Sequence, residues 1–503
     1  MFFEVTPLNG RIIVKGKGKQ GIIVFPTWVP GSYVIRDQSK YVVPLKGLSQ
    51  IFKNRFFLTD EEFEYIFSAI SKDQREAISI PDYLFINPAS VFPYQTISEE
   101  YCVKLNIPSN WVVHTTLKDK GNNTYCGEDY DSFADSPIQA SPHLKLIEID
   151  ENHKISAYGD LDEVEKIRKA IQYIDFNMGE KPKNYIFFFR RSDVNFGGIE
   201  HENSSAIVVP WDRKELTSLF AHEYFHSWNV KRIRPLEFDR VDYEKENYTD
   251  LLWVAEGLTD YVAFLATLNS SPSEAMKMLA NALSSLTFPG IKYMSLAESS
   301  RFTWIKLYKR DSNFLNYAIS YYDVGLILGF IIDLTIRERS ECRNSIFDFF
   351  KRLKRRYTYE DVRETLAELG VGFLDELVYK RNPPIMDYVR KYAEVTLEDK
   401  GKPYIGIMVN NGKVTYVEEG SPADEAGILP DDEIIAVNGV KREIEVKDEP
   451  IKLTLSFERR VREVLVKPRP SPGHTVRVKL AGELMKCLSN IESIEGISDK
   501  KVL

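Results

Sequence analysis

The run "ELTSLFAHEYFHSWNVKRIRP", residues 215–235, constrains the chain more than any other stretch. Good helix formers and the lack of Gly or Pro before Pro235 predict a helix from Glu215 to about Trp228. On a helix, residues i and i+4 share one face, roughly 6 Å apart along the axis. His222 and His226 can therefore both reach one metal ion, and Glu223 lies beside them, toward a water on that ion. Two neutral imidazoles holding zinc and a carboxylate taking a proton from water is the arrangement of zinc hydrolases. Alone, the pattern is a modest signal, because two helical histidines often form no more than a polar face. A tetrahedral catalytic zinc also needs a third protein ligand and one open position. A second element must therefore deliver that ligand.

"WVAEGLTDYVAF" supplies a candidate, Glu256, thirty residues past His226 on another predicted helix. Asp260 follows one turn later on the same face, where a carboxylate can orient a ligand histidine through its far nitrogen. Of seven histidines, only His201, His222 and His226 fall close together in the predicted helical region. His114, His143 and His153 lie in strand-and-turn sequence and are expected at the surface. Upstream, "FGGIEHENSSAIVVP" predicts a strand before the helix. Gly197 and Gly198 permit close backbone approach. An edge strand here can pair with an extended peptide, and Glu200 can pair with its free amino terminus. Lys231, Arg232 and Arg234 in "VKRIRP" are expected to pair with acids near the helix end.

Texture divides the chain into residues 1–160, 161–398, 399–470 and 471–503. The first part has short apolar runs ("RIIVKG", "GIIVFPTW", "YCVKLNI", "LKLIEID") punctuated by Pro, Gly, Ser and Asn, which predicts a β-sandwich-like domain. Helical periodicity begins at "DLDEVEKIRKAIQYIDFNMG" and, after the strands "NYIFFFR" and "SSAIVVP", dominates to about residue 395. Short strands then return, and the tail reads as a strand or arm with a short helix. The fold class is multidomain α+β. A net charge of −8 disfavours nucleic acid. Four scattered cysteines give no disulfide framework and no thiolate metal site, which fits a reducing, cytoplasmic setting. No signal peptide and no transmembrane helix are expected.

Three blocks carry a resemblance. "HEYFHSWNVKRIRP", "GGIEHENS" and "FPTWVPGSYVIRD" (residues 25–37) resemble the glycyl aminopeptidase family of gluzincin zinc metallopeptidases. The resemblance covers most of residues 1–470. It implies a thermolysin-like catalytic domain and one zinc ion on His222, His226 and Glu256. It also implies Glu223 as base, Glu200 as amine anchor, and peptide substrates with a free N-terminus, with Gly or Ala first. "SYYDVGLILGFIIDL" resembles the family's Tyr-x-Lys-Gly block. That assigns the oxyanion donor to Tyr322, with Tyr321 next, although Val324 stands where lysine is usual.

"GSPADEAGILPDDEIIAVNG", residues 420–439, resembles the core of a protease-associated PDZ domain. Its carboxylate loop is expected near "YIGI", residues 404–407, where a peptide C-terminus could bind. A PDZ domain that only packs against the enzyme is the plainer reading. Two other functions remain open at this point, a PDZ-guided zinc endopeptidase and a non-catalytic peptide-binding scaffold.

Overall fold

Strict alternation governs the N-terminal strands. In Arg11–Lys17, Ile12 and Val14 are buried while Arg11, Lys15 and Lys17 are exposed, as the period of two on a half-buried strand requires. In the computed structural model, which describes residues 1–441, 443–489 and 491–503, this strand joins a seven-stranded sheet. The sheet order is Lys118–Gly121, Thr124–Gly127, Tyr101–Leu105, Phe2–Leu8, Arg11–Lys17, Glu62–Ser68, Val42–Lys46. Sheets of three and four strands complete this all-β region. One core runs through it, with Phe3, Phe25, Phe56, Phe63, Tyr65, Phe92 and Phe133 fully or almost fully buried.

The cysteine reading is corrected here. Cys102 and Cys126 stand opposite each other on neighbouring antiparallel strands and are disulfide-bonded. Cys342 and Cys487, 145 residues apart, form a second disulfide. Pairing across strands and over long separations leaves no sequence spacing to read. The cysteines therefore give no argument for a reducing compartment.

The chain divides into two units, Met1–Asn247 and Tyr248–Leu503. The first also contains a five-stranded sheet of β1 (Lys145–Glu148), β2 (His153–Tyr158), β3 (Tyr185–Ser192), β4 (Gly197–Glu200) and β5 (Ser204–Pro210), in the order β1-β2-β3-β5-β4. β3 and β5 are parallel and buried along almost their whole length, which explains their near-continuous apolar runs. β4 runs antiparallel at the edge. Helices α1 (Val164–Met178) and α2 (Thr217–Phe225) pack against each other beside this sheet.

The second unit is helical first. A π-helical turn, Trp253–Gly257, leads into α3 (Leu258–Leu268), followed by α4 (Pro272–Ser285) and the long α5 (Tyr321–Arg339). α5 is buried on nearly every side, as its apolar sequence demands. Its one deep acid, Asp333, is satisfied by the Tyr261 hydroxyl (2.7 Å), the Arg337 Nε (2.8 Å) and the Ile346 amide (2.7 Å). A five-stranded antiparallel sheet follows, β6 (Ile407–Asn410), β7 (Lys413–Val417), β8 (Glu433–Val437), β9 (Ile451–Phe457) and β10 (Arg460–Val466). Two tail strands, β11 (Val476–Ala481) and β12 (Ser493–Ile497), flank a short helix, Glu483–Leu488. The multidomain α+β class expected from the sequence is the one found. Among the described residues, no helix is long and apolar enough to cross a membrane.

Candidate active site

α2 is shorter than predicted. It ends at Phe225, His226 caps it, and the amides of Val230 and Lys231 bond back to the His226 carbonyl (3.1 and 3.0 Å). The tight turn places the Asn229 carbonyl 2.6 Å from His226 Nδ1. A carbonyl accepts only, so Nδ1 carries the proton and Nε2 keeps its lone pair. His226 Nε2 lies 3.0 Å from His222 Nε2. Two imidazole nitrogens facing each other at this distance fit a shared metal ion with bonds of about 2.0–2.1 Å. For His226 the orienting partner is thus this carbonyl of its own turn.

Glu223 is buried, and the Tyr185 hydroxyl donates to its main-chain carbonyl (3.2 Å). Gly198 on β4 sits against its side chain. A Cβ there would lie 2.1 Å from Glu223 Oε1 and 2.4 Å from Cγ. Only glycine leaves room for the carboxylate. The outer edge of β4 is partly occupied, because Gln74 and Arg75 donate to the Gly198 carbonyl (3.3 and 3.0 Å). Arg75 is held by Asp73, which also pairs with Arg36 (3.2 Å). Burial opposes ionisation of Asp73, but Arg75 and Arg36 outweigh it and hold the carboxyl below its usual range.

Glu200 is 4% exposed and ends β4. The segment 25–37 wraps it. Gly31, at φ +93°, approaches so closely that a Cβ would lie 2.4 Å from Glu200 Oε2. That approach is set by Thr27 and Trp28, whose main-chain and indole N–H groups donate to the Tyr243 and Asp242 carbonyls (both 2.8 Å). Trp28, Tyr33, Glu200, Val230 and Phe238 line a small cavity here. One oxygen each of Glu200 and Glu223 and a ring nitrogen of His226 lie within 4.8 Å of one another.

His201 leaves this cluster and turns to Asp135 (3.0 Å), which also takes Lys231 (2.9 Å). Burial would raise the Asp135 pKa, yet Lys231 and His201 hold it well below the usual carboxylate range. Arg232 pairs with Glu180 (2.7 Å), and Arg234 donates to the Lys231 carbonyl. Lys231 and Arg232 therefore pair with acids as expected, while Arg234 bonds a main-chain carbonyl. His153, expected at the surface, is instead fully buried. Its ring lies between Asp150 (2.7 Å) and the Tyr224 hydroxyl (2.8 Å) beneath α2. An isolated His at a strand start gave no signal of this.

In the second unit, Glu256 is buried in the π-helical turn, a geometry that often marks functional positions. Gly257 there meets Gly325 of α5, where a Cβ on either would lie 2.6 Å from the other's Cα. The contact brings Tyr321 close enough to Glu256 to feel its charge, and burial, then Tyr308 and Glu256, push the Tyr321 pKa well up. Tyr321 is sealed, with its hydroxyl accepting from Thr303 (3.3 Å). Tyr322 is half-buried, its hydroxyl 3.2 Å from that of Tyr308. Asp260 is half-buried on the first turn of α3, and Val324 is buried.

A buried HExxH helix beside a sheet whose edge strand carries a glutamate is an arrangement that fits a zinc metallopeptidase, the class to which the family match assigns the chain. Residues 215–328 match the M61 glycyl aminopeptidases, residues 11–142 the N-terminal domain of peptidase M61, and residues 413–448 a PDZ domain. The chain belongs to the M61 glycyl aminopeptidase family. A solved aminopeptidase N family protein from Idiomarina loihiensis is similar in fold. Its TM-score is 0.81 at 21% identity over 93% of this chain and 96% of that one. An M1 zinc metallopeptidase from Deinococcus radiodurans aligns at TM-score 0.46 and 11% identity over 76% of this chain and 94% of that one. Comparison with curated proteins returns no match.

Proposed function

We propose that the protein is a zinc-dependent aminopeptidase that removes single N-terminal residues, Gly or Ala first, from peptides. One observation carries this reading. The buried Glu200 carboxylate lies within 4.8 Å of Glu223 and His226. An ammonium group held by Glu200 leaves room for about one residue before the reacting carbonyl, whereas an internal peptide segment would bury that carboxylate without a counter-charge. The narrow cavity beside Glu200 favours a small first side chain.

In this reading His222, His226 and Glu256 hold one zinc ion, and Asp260 serves as an orienting carboxylate for His222. Zinc, when bound, supplies Lewis acidity toward a carbonyl oxygen and a lowered water pKa. Glu223 takes the proton of the attacking water and passes it to the leaving nitrogen. The half-buried Tyr322 donates its hydroxyl to the developing oxyanion, a role worth about 3 kcal/mol, while Tyr321 is closed off. Gly197 and Gly198 let the peptide backbone approach β4. Because the Gly198 carbonyl is already bonded, the peptide pairs with the remaining edge groups.

The test is hydrolysis of paired fluorogenic aminoacyl substrates with free and with acetylated amino ends, with and without a chelator followed by zinc. Turnover of the free-amine set alone, lost on chelation and restored by zinc, supports the reading. Turnover of the acetylated set refutes the anchor and moves the assignment to an endopeptidase. No turnover of either set by zinc-loaded protein refutes the enzyme.

A further inference from the structure

The outer edge of β4 is plugged by two side chains from a loop of the N-terminal region. β4 pairs with β5 from Gly197↔Val208 to Glu200↔Ser205. In an antiparallel pair, successive residues turn their main-chain bonding groups alternately toward the partner strand and away from it. The His201 amide donates to the Ser204 carbonyl (2.8 Å) on the β5 side, so the main-chain groups of Gly198 and Glu200 point outward. These are the groups to which an extended peptide would add itself as a strand. Gln74 Nε2 and Arg75 Nη2 both donate to the Gly198 carbonyl, at 3.3 and 3.0 Å. A main-chain carbonyl has two lone pairs, and here both are engaged.

The plug is built into the fold. A Cβ on Gly197, which points to the face opposite Glu223, would lie 3.3 Å from Gln74 Nε2 and 3.6 Å from Arg75 Nη2. The two donors therefore come from that face and reach round the edge. Gln74 is 1% exposed. Asp73 accepts from Arg75 Nη1 (3.2 Å), from the Arg75 amide (2.9 Å) and from Arg36 Nη1 (3.2 Å). Lys72 pairs with Asp193 (3.1 Å), and its carbonyl accepts from Arg190. Glu76 stands 3.7 Å from Arg36. The cations of the loop are thus matched by acids, and it acts on β4 through hydrogen bonds rather than net charge.

With a peptide amine on Glu200 and the reacting carbonyl beside Glu223, at Gly198, the chain leaves along β4 toward Gly197. The residue that would pair with Gly198 lies downstream of the first. We propose that Gln74 and Arg75 set the substrate class. By filling the Gly198 carbonyl they withhold the strand rung beyond the first residue, so the site takes short peptides by their amino end and gains nothing from further length. The proposal rests on the aminopeptidase reading and assigns the two residues to specificity, not to the chemistry.

The test is release of alanine from C-terminally amidated alanine peptides of two, three, four and five residues by the zinc-loaded protein. The parent is expected to show kcat/KM values within about threefold across the series. Gln74→Ala and Arg75→Ala each remove one donor and open one lone pair to the peptide. In each, kcat/KM for the pentapeptide relative to the dipeptide is expected to rise about 3- to 10-fold, the worth of one hydrogen bond, and mainly through KM. The ratio is taken within one protein, so a displaced Glu223 that slows every length alike does not move it. Melting temperatures show that the variants are folded, and the parent series decides even where a variant is not. An active parent whose kcat/KM rises about tenfold or more with length overturns the proposal alone. Active variants with the parent's flat profile overturn it too. A parent that releases alanine from none of the peptides refutes the aminopeptidase reading, and the proposal with it.

Discussion

Gly198→Ala tests the site's most exacting contact. The added Cβ would fall 2.1 Å from Glu223 Oε1, 2.3 Å from Cδ and 2.4 Å from Cγ. Ordinary contact begins near 3.4 Å, so the two groups must part by about 1 Å. Because the overlap reaches Cγ, rotating the carboxylate does not relieve it. Both backbones resist as well. Tyr185 bonds the Glu223 carbonyl, and Gln74 and Arg75 bond that of Gly198. The side chain of Glu223 must therefore give way. A misplacement of about 1 Å costs on the order of 100-fold in rate, or about 2.7 kcal/mol of transition-state stabilisation. The measurements are kcat on a free-amine aminoacyl substrate, zinc per chain and the melting temperature. The expected result is a fall of about 100-fold in kcat with zinc content unchanged, since the change lies against Glu223 and not the imidazoles. A folded, zinc-loaded variant with kcat within about threefold of the parent would refute the assignment of Glu223 as the base.

Glu223→Gln keeps the shape and removes the basicity; it should retain zinc and lose about 10²- to 10⁴-fold in kcat. Glu200→Gln should raise KM for free-amine substrates and narrow the gap to acetylated ones, read from kcat/KM on the paired set. The double substitution Cys102→Ser, Cys126→Ser opens a loop whose ends are 24 residues apart and should cost about 3 kcal/mol in urea unfolding. Burial raises the Asp175 pKa to about 6, against the opposing Tyr224 hydrogen bond. A carboxyl raised on folding adds stability below its unfolded pKa that is lost as pH rises through the folded one. Urea midpoints should therefore fall between about pH 4 and pH 6, and Asp175→Asn should flatten that slope.

The sequence exposed the parts of the site that chemistry fixes locally. Helical spacing makes His222, Glu223 and His226 candidates, and a carboxylate thirty residues on, Glu256, is the candidate third ligand. The all-β start, the buried strands β3 and β5 and the long apolar α5 were legible because their burial patterns repeat along the chain. What was hidden depends on distant partners. Gly31 reads as a turn glycine, yet its role is to face Glu200 across the fold. Asn229 reads as a loop residue, yet its carbonyl sets the His226 tautomer. His153 lies in turn-rich sequence, and nothing nearby reveals Tyr224 above it. The cysteine pairs join residues whose spacing carries no pattern. Helix α2 also stopped short of the expected Trp228, because the turn that orients His226 begins there.

The hydrogen bonds of the buried network under α2 depend on one proton. Asp150, His153, Tyr224 and Asp175 form a line, with Asp150 to His153 Nδ1 at 2.7 Å and Tyr224 to His153 Nε2 at 2.8 Å, and the Tyr224 hydroxyl bonded on to Asp175. Tyr224 has a single proton to give. When Asp175 is protonated, it donates to Tyr224, Tyr224 donates to Nε2, and the Nδ1 proton goes to Asp150. Every contact is then made with a neutral imidazole. When Asp175 loses its proton, Tyr224 must donate to it instead. With a neutral imidazole, one of the two His153 contacts then faces lone pair against lone pair. Tyr224 directly follows Glu223 on α2, so the network lies next to the proposed base. An asparagine at 175 can donate to Tyr224 at any pH, which is why Asp175→Asn should keep the low-pH hydrogen bonds of the network rather than break them.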